Sequence, residues 1–83
     1  MAAEHGDARE QVDLGHMYKI GKGVEKNYPK AIYWYNKAAE QNEPLAFQAF
    51  GMMYMKGRGV EKNEKEAERL FCIADKLREK QNL

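Results

Sequence analysis

Seven residues, Gly21-Lys22-Gly23-Val24-Glu25-Lys26-Asn27, return almost unchanged 36 positions later as Gly57-Arg58-Gly59-Val60-Glu61-Lys62-Asn63. The same offset pairs Gly15, Met17 and Tyr18 with Gly51, Met53 and Tyr54, and Ala31 and Ala38 with Ala67 and Ala74. A fixed period of about 20–50 residues marks a repeat architecture, in which no unit buries its apolar face alone. Apolar residues recur at helical spacing on both sides of the glycine loop, so the unit is helix–loop–helix. The fold class that follows is all-α: an α-α superhelix, or solenoid, of two antiparallel helix–loop–helix repeats. Each repeat has an A helix before the loop and a B helix after it.

The boundaries follow from the alignment of the copies. Residues 2–6, Ala-Ala-Glu-His-Gly, resemble Ala38-Ala39-Glu40-Gln41-Asn42 at the end of the first B helix. Residues 1–6 therefore read as the remnant tail of a preceding repeat, 7–42 as repeat one, and 43–83 as repeat two with a C-terminal capping helix. All lie in one domain, 1–83. Asp7, Asn27 and Asn63 are the expected N-caps, and Asn63 with Glu66 has capping-box spacing. The first A helix is expected to turn Leu14, Met17 and Tyr18 inward, and the first B helix Ala31, Trp34, Tyr35 and Ala38. The second pair turns in Ala46, Phe50, Met53 and Tyr54, then Ala67, Leu70, Phe71, Ala74 and Leu77. Gly15 and Gly51 recur in mid-helix at a cost of about 1 kcal/mol each against alanine, which points to close helix approach. Where the first B helix has Tyr28, Ile32 and Ala39, the second has Glu64, Glu68 and Asp75. Burying even one unpaired carboxylate costs several kcal/mol, so this flank is expected to face solvent and close the stack.

Composition narrows the function. Lys plus Arg number 14 and Asp plus Glu 13, which leaves no broad field for nucleic acid or an acidic membrane. No apolar run reaches the roughly 18 residues of a membrane span. The single cysteine, Cys72, allows no intrachain disulfide, which fits a cytoplasmic, reducing setting. The chain has neither serine nor threonine, so it lacks their hydroxyl nucleophiles and the P-loop magnesium ligand. The Gly-x-Gly loops lack the rest of any phosphate-binding pattern. His5, His16 and Cys72 make no recognisable metal set and no oriented catalytic pair.

The pattern Leu14-Gly15, Tyr18, Gly21-Lys22-Gly23-Val24, Ala31, Trp34-Tyr35, Ala38-Ala39 resembles the Sel-one-like repeat (SLR) family, relatives of the tetratricopeptide repeat. The second copy resembles it at Ala46, Phe50-Gly51, Tyr54, Gly57-Arg58-Gly59-Val60, Ala67, Phe71 and Ala74. The likeness runs over about residues 2–77. Glu10, Leu70 and Asp75 depart from the family pattern. The resemblance implies a right-handed stack of helix pairs acting as an adaptor or scaffold, with its ligand on the concave face of the A helices.

On the side of each A helix opposite its expected core stripe stand Val12, His16 and Lys19, and then Gln48, Met52 and Met55. These six are the candidate partner-binding residues, with the methionines suited to adaptable apolar contacts. The expected function is a non-enzymatic protein–protein interaction module that takes a protein or peptide, with no cofactor, metal, nucleic acid or membrane. Two alternatives stand beside it. One is a terminal structural or regulatory docking segment, or a weakly self-associating homodimer. The other, more remote, is a hydrolase-like enzyme built on Cys72 and His16.

Overall fold

The computed structural model describes residues 6–81 as four helices: α1 (Ala8–Ile20), α2 (Tyr28–Glu40), α3 (Pro44–Lys56) and α4 (Glu64–Gln81). Among the described residues there is no strand. His5 and most of the expected remnant tail lie outside them.

The starts of α1, α2 and α4 are set by short polar side chains, whereas α3 opens on Pro44 with no side-chain cap bond. Asp7 accepts from the Arg9 and Glu10 N–H groups at 3.1 and 3.2 Å, Asn27 from Lys30 at 3.1 Å, and Asn63 from Glu66 at 3.0 Å. Each bond satisfies a donor that the helix itself leaves open. The capping box at Asn63 is only half made. The Glu66 carboxylate turns to Arg69, at 2.8 and 2.6 Å, while the Asn63 N–H donates to the Tyr54 carbonyl at 2.9 Å. The counterpart bond, from the Asn27 N–H to the Tyr18 carbonyl, is also 2.9 Å. Each glycine loop is thus pinned back to the helix it leaves. Gly21 and Gly57 end α1 and α3 at φ 75° and 66°, donating to the Met17 and Met53 carbonyls. That left-handed geometry favours glycine.

α1 pairs with α2, and α3 with α4; α2 also packs on α3, and α1 touches α3. The bonds Gln11–Gln41 (3.0 Å) and His16–Tyr35 (2.6 Å) show the antiparallel register of the first pair. Among the described helices α4 packs on α3 alone, and Glu64, Glu68 and Asp75 on its outer flank are exposed. The core centres on Tyr35, Met53 and Val12, the largest fully buried side chains. Buried alanines, Ala31, Ala38 and Ala46 among them, bring the helix axes together around it.

Gly15 lies under the Tyr35 ring, where an added Cβ would stand 2.6 Å from Cε1. Gly51 lies in the same way under Phe71, where the distance would be 2.5 Å. Ordinary carbon contacts are about 3.5–4.0 Å, so both positions exclude any side chain while the ring stays in place.

Two expected faces need correction. On α1 the buried residues are Gln11, Val12 and Gly15, whereas Met17 is 36% exposed. The reason is α3, which packs against the Val12 flank of α1 and draws Val12 into one cluster with Ala46, Ala49 and Phe50. Met53, the counterpart of Met17, is 1% exposed. It is enclosed where loop residue Gly59 meets Tyr28 of α2, and no such wall stands beside Met17 among the described residues. On α2, Tyr35 is fully buried but Trp34 is only half-buried.

Candidate protein-interaction surface

The A helices α1 and α3 lie side by side, so their exposed sides form one surface ending at the two glycine loops. Of the six predicted residues, the structure removes one. Val12 is 1% exposed and belongs to the core, because the flank taken for the open side of α1 is the flank that meets α3. The corresponding flank of α3 meets no further helix among the described residues. There Gln48 is exposed, Met52 is 42% exposed and Met55 is half-buried. His16 and Lys19 of α1 are half-buried.

His16 is held by a bond that links the two helices of repeat one. The Tyr35 hydroxyl lies 2.6 Å from Nδ1, and the two rings meet edge to face with centroids 5.4 Å apart. Burial first, and then the Lys19 charge, hold the imidazole below its ordinary value of 6.5. A neutral Nδ1 can therefore accept the phenolic proton. Burial pushes the Tyr35 phenol well above its ordinary range. Gln48 is anchored too, since its Oε1 accepts from the Arg78 guanidinium of α4.

At the loop end the surface turns basic. Burial, then the charges of Arg58 and Lys56, lower the Lys19 ammonium from its usual value, with the Tyr28 phenol opposing them. Lys26 adds a further cation 5.0 Å from the centroid of the Tyr28 ring. Sequence reasoning missed this grouping, because Lys19, Lys56 and Arg58 sit on three elements that only the stacking of the repeats brings together. Its one signal was the basic residue in the last turn of each A helix.

The opposite side of the first hairpin carries a cleft of about 680 Å³ lined by Tyr18, Pro29, Lys30, Tyr33 and Trp34. The half-buried Trp34, expected in the core, instead lines this surface. Lys30 covers the Tyr18 ring at 5.3 Å and Lys37 the Tyr33 ring at 5.5 Å.

The structure does not bring Cys72 and His16 together. Cys72 is an exposed free thiol on α4. His16 is on α1, which does not touch α4. Among the described residues no group of three His, Cys, Asp or Glu side chains is arranged to hold a metal ion. No described helix is long and apolar enough to cross a membrane.

Comparison with known proteins agrees with this architecture. The Sel1 repeat family model matches residues 11–43 and again 46–74. A putative sel1-like repeat-containing protein of Acanthamoeba polyphaga mimivirus is 48% identical over 42 residues, covering 51% of this chain and 7% of the viral protein. Protein sel-1 homolog 2 of Mus musculus is 49% identical over 39 residues, covering 46% of this chain and 6% of the mouse protein. The chain therefore spans only a small part of the curated relatives it matches. Among solved structures, a Sel1 repeat protein from Oxalobacter formigenes superposes with a TM-score of 0.85 at 33% identity, over 92% of this chain and 31% of that one. The antigen c5321 of uropathogenic Escherichia coli, which displays an SLR fold, superposes at 0.82 with 39% identity, over 90% of this chain and 16% of its own. Sel1 repeats are typically protein-interaction modules. With two glycine-loop hairpins stacked in register and both matched by the repeat model, this chain belongs to the Sel1 repeat family.

Proposed function

We propose that the chain is a non-enzymatic adaptor that binds a protein or peptide on the exposed side of its A helices, through His16, Lys19, Gln48, Met52 and Met55. The carrying observation is Met52, a large apolar side chain 42% exposed on a helix whose other side is core. Half-buried Met55 stands beside it. Flexible thioether side chains that reach solvent suit contacts with varied apolar groups. Gln48 and His16 are tethered by their bonds to Arg78 and Tyr35, so less side-chain freedom is lost when a partner binds.

The test is capture of partners from the native lysate by wild type and by the Met52→Glu/Met55→Glu double variant, with folding checked by circular dichroism. The proposal expects loss of capture with an unchanged helical spectrum. Equal capture by both proteins rejects this surface.

A second reading is docking of repeat one on another repeat or another copy. It is favoured by Met17 and by Ile20, which is 61% exposed. Light scattering across concentration separates the two readings. A monomer that captures partners favours the adaptor, and a dimer disrupted by Ile20→Glu favours docking.

A further inference from the structure

We infer that the partner segment is an acidic peptide carrying apolar side chains, with its carboxylates meeting Lys19, Lys56 and Arg58 at the loop end of the A-helix surface. This rests on the function proposed above and names the chemistry of its partner.

His16 and Lys19 are three residues apart on α1, and Met52 and Lys56 four apart on α3, so each pair shares a helix face. α1 and α3 pack together and end one repeat apart, at Ile20 and Lys56, so the two helix ends lie near each other, with Arg58 just beyond the end of α3. Each helix C-terminus on its own favours one cation. Stacking brings two such ends and a loop guanidinium to one place.

Around Lys19 the electrostatics are one-sided, while the Asp13 carboxylate acts on His16. The charged neighbours that act on Lys19 are Arg58 and Lys56, and no carboxylate offsets them. Among the described residues, the ion pairs join Arg9 to Glu43, Lys62 to Glu64, Arg69 to Glu66 and Arg78 to Asp75. None involves the three cations of the cluster. What sets the cluster apart is that it holds like charges together with one of them half-buried. An incoming carboxylate relieves that repulsion, and it gains more from a partly desolvated ammonium than from one in open water.

The neighbouring side chains select the kind of anion. Met52 and Met55 offer apolar contacts next to the cations, which a peptide of alternating acidic and apolar residues fills. A net charge of +1 supplies no extended field for a polyanion.

The test is fluorescence anisotropy with a labelled, end-blocked peptide of alternating Glu and Leu, against the same peptide with Gln for Glu. The acidic peptide is expected to bind at least tenfold more tightly at low salt, with the advantage shrinking as salt is added. The Lys19→Gln/Lys56→Gln/Arg58→Gln variant should lose that advantage. A Lys65→Gln/Lys76→Gln variant on α4 should keep it. The exposed Arg58→Gln single variant, which leaves both helices untouched, should lose part of it and guards against misfolding of the triple. Equal binding of the two peptides overturns the inference, as does equal loss in the α4 variant. Tighter binding of an oligothymidylate or of phosphatidylserine vesicles than of the acidic peptide also overturns it. No acidic preference, with lysate capture still sensitive to Met52→Glu/Met55→Glu, rejects this inference alone; capture insensitive to those changes rejects the surface itself.

Discussion

Gly15→Ala and Gly51→Ala make the same chemical change at equivalent positions, yet they should have different consequences. In a helix interior the change from glycine to alanine gains about 1 kcal/mol of intrinsic propensity. Against that stands the clash. The new methyl would meet Tyr35 Cε1 at 2.6 Å in repeat one and Phe71 Cε1 at 2.5 Å in repeat two, about 1 Å inside normal contact. Overpacking of this kind costs about 1–3 kcal/mol where the neighbour cannot yield. Tyr35 cannot yield: it is fully buried and its hydroxyl is tied to His16. Phe71 is half-buried and can pivot toward solvent. The cost at Gly15 should therefore fall in the upper part of that range, about 2–3 kcal/mol, making Gly15→Ala the more destabilising by about 1–2 kcal/mol net, although its closest contact is slightly the longer one. For a domain of this size that lowers Tm by about 5–15 °C. Gly51→Ala should stay within about 1 kcal/mol of wild type. Thermal and urea unfolding followed by circular dichroism measure both. A Gly15→Ala protein as stable as wild type, or less affected than Gly51→Ala, would refute the reasoning from ring mobility.

Four further outcomes follow. His16→Met leaves the buried Tyr35 hydroxyl without its acceptor and should cost about 1–3 kcal/mol. Adding Tyr35→Phe, which copies the Met52/Phe71 pair of repeat two, should recover most of that loss in a double-mutant cycle. The pH dependence has a definite sign. The folded-state pKa of His16 is depressed, so its contribution is fully present above the unfolded value of 6.5 and is lost as pH falls below it toward the folded value. The wild-type Tm should therefore drop relative to that of His16→Met/Tyr35→Phe as the buffer is taken below that value, and parallel profiles would contradict this. Asn27→Ala removes the cap of α2 and should cost about 1 kcal/mol, read by urea unfolding. Glu64→Tyr/Glu68→Ile/Asp75→Ala restores the apolar flank of α2 on α4 and should produce self-association at or below about 1 mM, some 4 kcal/mol, in light scattering; a monomer throughout that range would show that the acids do not keep the end open.

Most of the fold was legible because the two copies annotate each other. The period located both hairpins, the side-chain caps sat where short polar residues preceded apolar runs, and the paired glycines marked the two ring contacts. The side of α1 that faces inward was not legible. Val12 and Met17 are both apolar and lie about 140° apart around a helix. The choice between them is made by α3, more than thirty residues farther along the chain. Periodicity finds an apolar stripe but does not say which neighbour covers it. The His16–Tyr35 bond was readable in principle, since both residues change together, to Met52 and Phe71, at the repeat offset. Gln11 and Gln41 carry the same signal, standing where repeat two has Phe47 and Leu77. The basic cluster carried none of comparable strength, because its members belong to three elements and one of them replaces a methionine in the other repeat.

Nitrogen–proton correlation NMR of the labelled chain, titrated with the Glu/Leu peptide, tests the recognition surface most directly. The account predicts that the amides of His16, Lys19, Met52, Met55, Lys56 and Arg58 shift together along one binding curve. Shifts confined to the outer side of α4 or to the Tyr18–Trp34 cleft, or no shifts at all, would contradict it.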